Sequence, residues 1–106
     1  VSKRSVFDAL ADPVRRSLLE TLATDSPKTA TQLATAYPIS RQAILKHLNI
    51  LEDAALVTVH QHGREKRYVL TPAPLAELHS WLDMLGQRWD ERLLRLKTLL
   101  EEGNAL

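Results

Sequence analysis

The amino-acid sequence predicts a mainly α fold carrying one small β-hairpin, in the order α-α-α-α-β-β-α. Three observations lead there. Apolar residues recur at helical spacing through most of the chain, most regularly at Leu78, Leu82, Leu85, Trp89, Leu93, Leu96 and Leu100. Two runs rich in β-branched residues, Leu56 to Gln61 and Lys66 to Thr71, flank Gly63 and read as paired strands. Ser40 and the pair Asp12-Pro13 stand where helices need caps and a first-turn proline.

At 106 residues the chain is expected to form one domain over 1–106, with a core small enough to gain from a shared interface. With 44% hydrophobic and 25% charged residues it has the composition of a soluble globular protein. The net charge of +1 does not announce a nucleic-acid partner, but its distribution does. Residues 27–71 hold six basic and three acidic side chains, against four and four in 1–26 and four and six in 72–106. There is no cysteine, which excludes disulfides, thiolate metal sites and a thiol redox switch and fits a cytoplasmic protein. No apolar run approaches the ~20 residues of a membrane span, and the opening VSKRSVFDAL lacks the apolar core of a signal peptide.

Ser5 to Leu10 reads as a short opening helix with Phe7 and Leu10 on one side. Asp12 then caps a helix that starts at Pro13 and runs to about Ala23, burying Val14, Leu18, Leu19 and Leu22. Arg15 and Arg16 lie beside that face. They are read as a solvated pair rather than as a brace or a backbone contact. Thr24 to Lys28 reads as a turn. A short helix follows from Thr29 or Ala30 to Ala36, with Leu33 its apolar contact. The next turn is Tyr37-Pro38-Ile39. A glycine often allows a left-handed residue in such a turn, which Pro38 cannot adopt, so a longer or differently shaped turn is expected.

Ser40 to Ala54 is the helix around which the rest is organised. Ile44, Leu48 and Leu51 share one face and are expected in the core. Arg41, Gln42, Leu45, Lys46 and Asn49 fall mostly on the other face, which is cationic and amide-rich. No Asp or Glu occurs between Asp25 and Glu52, a window that holds Lys28, Arg41 and Lys46. Carboxylates there would repel phosphate, so the pattern suits a surface that meets a polyanion. The hairpin beyond it carries His60, Gln61, His62, Arg64, Lys66 and Arg67 at its tip. Pro72 and Pro74 then separate the hairpin from a last helix of about 74–102, whose stripe is widened by Trp81 and Leu99. A helix this long has more apolar surface than a small domain can cover, and a second copy is the expected cover.

Two consecutive helices followed by a basic hairpin compose a winged helix-turn-helix, with 29–71 as the reading head. In its residues the chain resembles the ArsR/SmtB family of bacterial repressors. The resemblance is carried by Phe7-Asp8-Ala9-Leu10-Ala11-Asp12-Pro13-Val14-Arg15-Arg16 and by Ile39-Ser40-Arg41-Gln42-Ala43-Ile44-Leu45-Lys46-His47-Leu48. It continues through Leu51-Glu52-Asp53-Ala54-Ala55-Leu56-Val57 and Gly63-Arg64-Glu65-Lys66-Arg67-Tyr68. It implies a homodimer built from the first and last helices, bound to double-stranded DNA. Many relatives sense metals through cysteines in the third helix, where this chain has Thr31-Gln32-Leu33-Ala34-Thr35. Others use an acid-x-His pair with two later ligands. Glu77-Leu78-His79 matches the pair, but the later positions are Asp90 and Leu93, and leucine cannot ligate. Metal sensing is therefore not expected, no cofactor is implied, and His60 and His62 at an exposed tip make a poor ligand pair.

The expected reading has Arg41, Gln42 and Lys46 at or near base edges, with His47 secondary. Arg41 would bind guanine and Gln42 adenine, each worth roughly 1–3 kcal/mol of discrimination. Thr31, Ser40, Arg64, Lys66 and Arg67 would hold the DNA backbone, with the hairpin tip along it or in the minor groove, and His62 at that tip is a further candidate DNA contact. Phe7, Leu78, Leu82, Leu85, Trp89, Leu93 and Leu96 would form the dimer interface. Twofold symmetry then calls for an inverted-repeat operator. No nucleophile motif or glycine-rich phosphate loop supports an enzyme. A MarR-like or PadR-like winged helix responding to an organic ligand is the alternative within DNA binders. A helical protein-interaction dimer is the alternative outside them. Trp81, Met84 and Trp89 are read as helix stripe rather than as the lining of an effector pocket, so neither a small-molecule nor a protein effector is identifiable.

Overall fold

The structure, a computed structural model, describes residues 5–104. Its elements follow the expected order with one addition: α1 (Val6–Leu10), α2 (Pro13–Thr24), β1 (Lys28–Thr29), α3 (Ala30–Ala34), α4 (Arg41–Asp53), β2 (Val57–His62), β3 (Glu65–Leu70) and α5 (Ala73–Asn104). The chain divides into two compact units, one up to Pro74 and the other from Leu75 onward.

Local chemistry sets the helix boundaries of the first unit. Ser5 caps α1 by accepting the Phe7 N–H, and Asp12 Oδ1 accepts from Val14 and Arg15 at the start of α2, where Pro13 needs no partner. Thr29 and Gln32 form a reciprocal capping box on α3. Ser40 accepts the Ala43 N–H and opens α4. The far end of α4 closes with Ala55 in a left-handed conformation, φ 60°. There Ala55 N–H returns to Glu52 O and Leu56 N–H to Leu51 O, both at 2.9 Å. This is a Schellman closure with alanine where glycine is usual, and Leu51 and Leu56, both fully buried, supply its apolar contact.

The core is built from one face of each element. Leu18 and Leu22 of α2, Leu33 of α3, Ile44, Leu48 and Leu51 of α4, and Leu56 are all fully buried. Burial of each such side chain stabilises by about 1.5–3 kcal/mol, which makes this cluster the main force holding α4 in place. The expectation for α4 holds on both faces: Arg41, Gln42, Lys46 and Asn49 are exposed and Leu45 half-buried.

Two features differ from the sequence-based expectation. The stretch read as a turn ends in a short strand, β1, so the hairpin is part of a three-stranded antiparallel sheet in the order β1-β3-β2. Lys28 pairs with Tyr68 and Thr29 with Arg67. Two residues carry no readable period, and only tertiary pairing with β3 makes them a strand. Second, Arg15 and Arg16 are not a solvated pair. Arg16 Nη1 donates to Leu10 O at 2.7 Å. Arg15 Nε donates to Ala9 O at 2.7 Å and Nη2 to Asp8 O at 3.0 Å. The last carbonyls of a helix are short of intrahelical partners, and these two guanidiniums bond Ala9 O and Leu10 O and add to the Ala11 N–H on Asp8 O, bracing α1 against α2.

The connection from α3 to α4 runs from Thr35 to Ser40, with none of its residues left-handed, as Pro38 requires. Tyr37 pins it: its hydroxyl pairs with Ser17 Oγ at 2.9 Å and Thr21 Oγ1 at 3.2 Å, both on α2. β2 and β3 pair in register from Val57↔Leu70 to His62↔Glu65, closing on Gly63, φ 64°, and Arg64. The second unit is the body of α5, a helix of 32 residues and about 48 Å. Trp81, Leu82, Leu85, Trp89, Leu93, Leu96 and Leu100 of its stripe are all exposed, from 37% at Leu85 to 63% at Trp89. Among the described residues no helix is long and apolar enough to cross a membrane.

Candidate nucleic-acid interface

The first turn of α4, the start of α3 and the hairpin, from its turn into β3, line a groove of about 480 Å³. Thr29, Ala30 and Thr31 line it from β1 and α3, Arg41 and Leu45 from α4, and Arg64, Glu65, Lys66 and Tyr68 from the hairpin. Three cations against one carboxylate give it a positive balance. Arg41 is oriented within it: its Nε donates to Thr31 Oγ1 at 3.0 Å, which leaves the two terminal nitrogens for a ligand. Bidentate pairing with a guanine edge or a phosphate uses such a pair of donors.

Tyr68 also lines the groove and is only 3% exposed. Burial pushes its hydroxyl pKa up and Glu52 adds to the effect, with Arg41 opposing. On the hairpin, Arg67 Nε lies 3.8 Å from Glu65 Oε2, a long and half-exposed pair, and Gln61 Nε2 donates to Gly63 O. His60 and His62 are exposed on β2, opposite Arg67 and Glu65 respectively.

The structure thus brings Thr31, Arg41, Arg64 and Lys66 to one groove. Gln42 and Lys46 lie exposed on the outward face of α4 and Ser40 at its cap, while His62 and Arg67 lie on the hairpin. His47 is placed differently. It is half-buried, and its Nδ1 lies 3.3 Å from Arg15 Nη1. Sequence reasoning passed over that contact, over Tyr37 and over Thr29. The capping box of Thr29 and Gln32 was legible in the spacing of the two residues. The other two depend on long-range packing and left no local signal. On α5, His79 Nε2 lies 3.6 Å from Asp83 Oδ2, one turn along the same helix. Among the described residues no group of three or more His, Cys, Asp or Glu is placed to hold a metal ion.

Two helices at an acid-free face, with a basic hairpin beside them, define a winged helix-turn-helix DNA-binding regulator. A family model described as a helix-turn-helix domain matches residues 10–60. The HTH-type transcriptional regulator YuzN of Bacillus subtilis (strain 168) is 37% identical over 89 residues, 77% of this chain and 97% of that protein. The transcriptional repressor SdpR of the same organism is 35% identical over 78 residues, 74% of this chain and 86% of that one. An ArsR-like transcriptional regulator from Rhodococcus sp. RHA1 superposes with a TM-score of 0.83 at 41% identity, covering 92% of this chain and 88% of that chain. The chain belongs to the ArsR family of DNA-binding transcriptional regulators, a family that is not enzymatic.

Proposed function

We propose that the protein is a homodimeric repressor that reads an inverted-repeat operator and does not respond to metals. The observation that carries the reading is the groove between α3, α4 and the hairpin, with Arg41, Arg64 and Lys66 around it and Gln42 and Lys46 exposed beside it. α4 enters the major groove. Arg41, Gln42 and Lys46 face the base edges, and Thr31, Ser40, His62, Arg64, Lys66 and Arg67 hold the backbone. Repression is supported by the similarity to SdpR, a transcriptional repressor. Dimerisation is supported by the exposed stripe of α5 and by Phe7 on α1, 58% exposed. Monomers rarely leave a contiguous apolar surface of that length in water. Phe7, Leu78, Leu82, Leu85, Trp89, Leu93 and Leu96 belong to that interface. Such a regulator works in the cytoplasm, where its DNA is.

The test is fluorescence anisotropy at near-physiological salt with two duplexes, one from upstream of the protein's own gene and one scrambled. The expected result is tight binding to the first alone, weakening steeply as salt rises. Equal weak binding to both, together with failure to select any sequence from a randomised pool, would overturn the reading.

A further inference from the structure

His47 stands on the reading helix next to Lys46, yet its ring nitrogen faces inward to α2. Arg15 Nη1 lies 3.3 Å from His47 Nδ1, while Arg15 Nε and Nη2 hold Ala9 O and Asp8 O at the end of α1. A guanidinium has no acceptor, so His47 Nδ1 must accept and the ring carries its proton on Nε2. One side chain of α2 thereby joins the C-terminal carbonyls of α1 to the middle of α4. The two bonds from Arg15 to α1, at 2.7 and 3.0 Å, are both shorter than its 3.3 Å contact with His47, so α1 holds the guanidinium that His47 meets.

We propose that His47 is a positioning residue, which acts through Arg15 to set the reading helix against α1, and not a DNA contact. This rests on the reading that α4 enters the major groove. Burial of Ile44, Leu48 and Leu51 holds α4 to the core, but apolar packing is tolerant of small rotations about the helix axis. A directed hydrogen bond on the flank of α4 is not. It fixes the azimuth at which Arg41, Gln42 and Lys46 are presented. Base-edge recognition depends on that azimuth far more than phosphate attraction does. The operator affinity is consequently sensitive to α1, although α1 lies off the DNA.

The geometry supplies its own test, because two amides imitate different nitrogens of the ring. His47→Asn places an acceptor near the position of Nδ1, and His47→Gln places one near that of Nε2. The probes are a duplex selected by the parent protein from a randomised pool and a scrambled duplex, with thermal melting to confirm that each variant folds. For His47→Asn, affinity for the selected duplex is expected within about threefold of the parent. For His47→Gln it is expected to fall about five- to tenfold, the effect of one hydrogen bond, with binding to the scrambled duplex unchanged. Arg15→Lys, which cannot span all three acceptors, is expected to give a similar loss. Combined with His47→Gln it is expected to add little, since both remove the same link. The opposite order, with His47→Gln near parent and His47→Asn impaired, would show a direct DNA contact through Nε2 and overturn the proposal. So would parent-like binding by both variants, or equal losses on both duplexes. A parent that selects no sequence at all would instead sink the underlying reading.

Discussion

Ala55 holds a left-handed φ of 60° that costs an L-residue about 1–2 kcal/mol, because its Cβ crowds the neighbouring carbonyl. The Schellman bonds from Ala55 and Leu56 back to α4 require that conformation. Ala55→Gly is expected to stabilise the fold by about 0.5–1 kcal/mol after the added unfolded-state freedom is deducted, seen as a higher Tm. At Asp12, partial burial acts to raise the carboxyl pKa. The N–H groups of Arg15 and Val14, with the charge of Arg15, outweigh it and hold the group below its ordinary value. A depressed folded-state pKa contributes stability that is present above the unfolded value and lost as pH falls through the folded one. Asp12→Asn keeps the capping geometry but not the charge. It is expected to melt below the parent at neutral pH, with the gap closing under acid; a gap independent of pH would contradict this. At the interface, Arg41→Ala is expected to weaken binding and relax preference for one base position, with up to roughly 1–3 kcal/mol of discrimination lost.

At the scale of elements, the α3–α4 connection depends on Tyr37, since no residue in it is left-handed and Pro38 bars the usual device. Tyr37→Phe keeps the ring and removes the hydroxyl from Ser17 and Thr21. The expected cost is about 1 kcal/mol in a denaturant titration, with unchanged m-value. The hairpin is the other separable element. Lys66→Ala should weaken binding to every duplex alike and reduce the salt slope by about one, because a phosphate contact carries no sequence information. A loss confined to one sequence would place Lys66 at a base instead. β1 shows why element-level reading fell short. Lys28 and Thr29 are polar, only two residues long, and become a strand only because Tyr68 and Arg67 of β3 lie alongside them.

At the scale of the whole molecule, the proposed dimer rests on the stripe of α5. Leu93 and Trp89 are 57% and 63% exposed, at the middle of a face that gains from being covered. Leu93→Asp is expected to give a folded monomer by sedimentation at micromolar concentration, because an aspartate cannot be buried unpaired in an apolar interface. Its operator affinity should fall by orders of magnitude while binding to scrambled DNA falls little, since two linked half-sites are lost together. A dimer that survives Leu93→Asp would mean that the exposed stripe is not the interface.

By itself the sequence determined what depends on local order along the chain. The 3.6-residue period marked the buried face of α4 at Ile44, Leu48 and Leu51. Short-range caps at Asp12 and Ser40 marked where helices begin, and the stretch between Asp25 and Glu52 was marked as free of acids. The tertiary structure alone decided what depends on residues far apart meeting. It paired β1 with β3 and turned Arg15 from a solvated cation into a three-way link. It seated Tyr37 on Ser17 and Thr21, and it gathered Thr31, Arg41, Arg64 and Lys66 around one groove. Periodicity and capping are encoded within one or two turns of chain, where spacing can be counted. Directed hydrogen bonds across 16 to 32 residues are fixed only when core packing sets the distance and angle between the groups that make them.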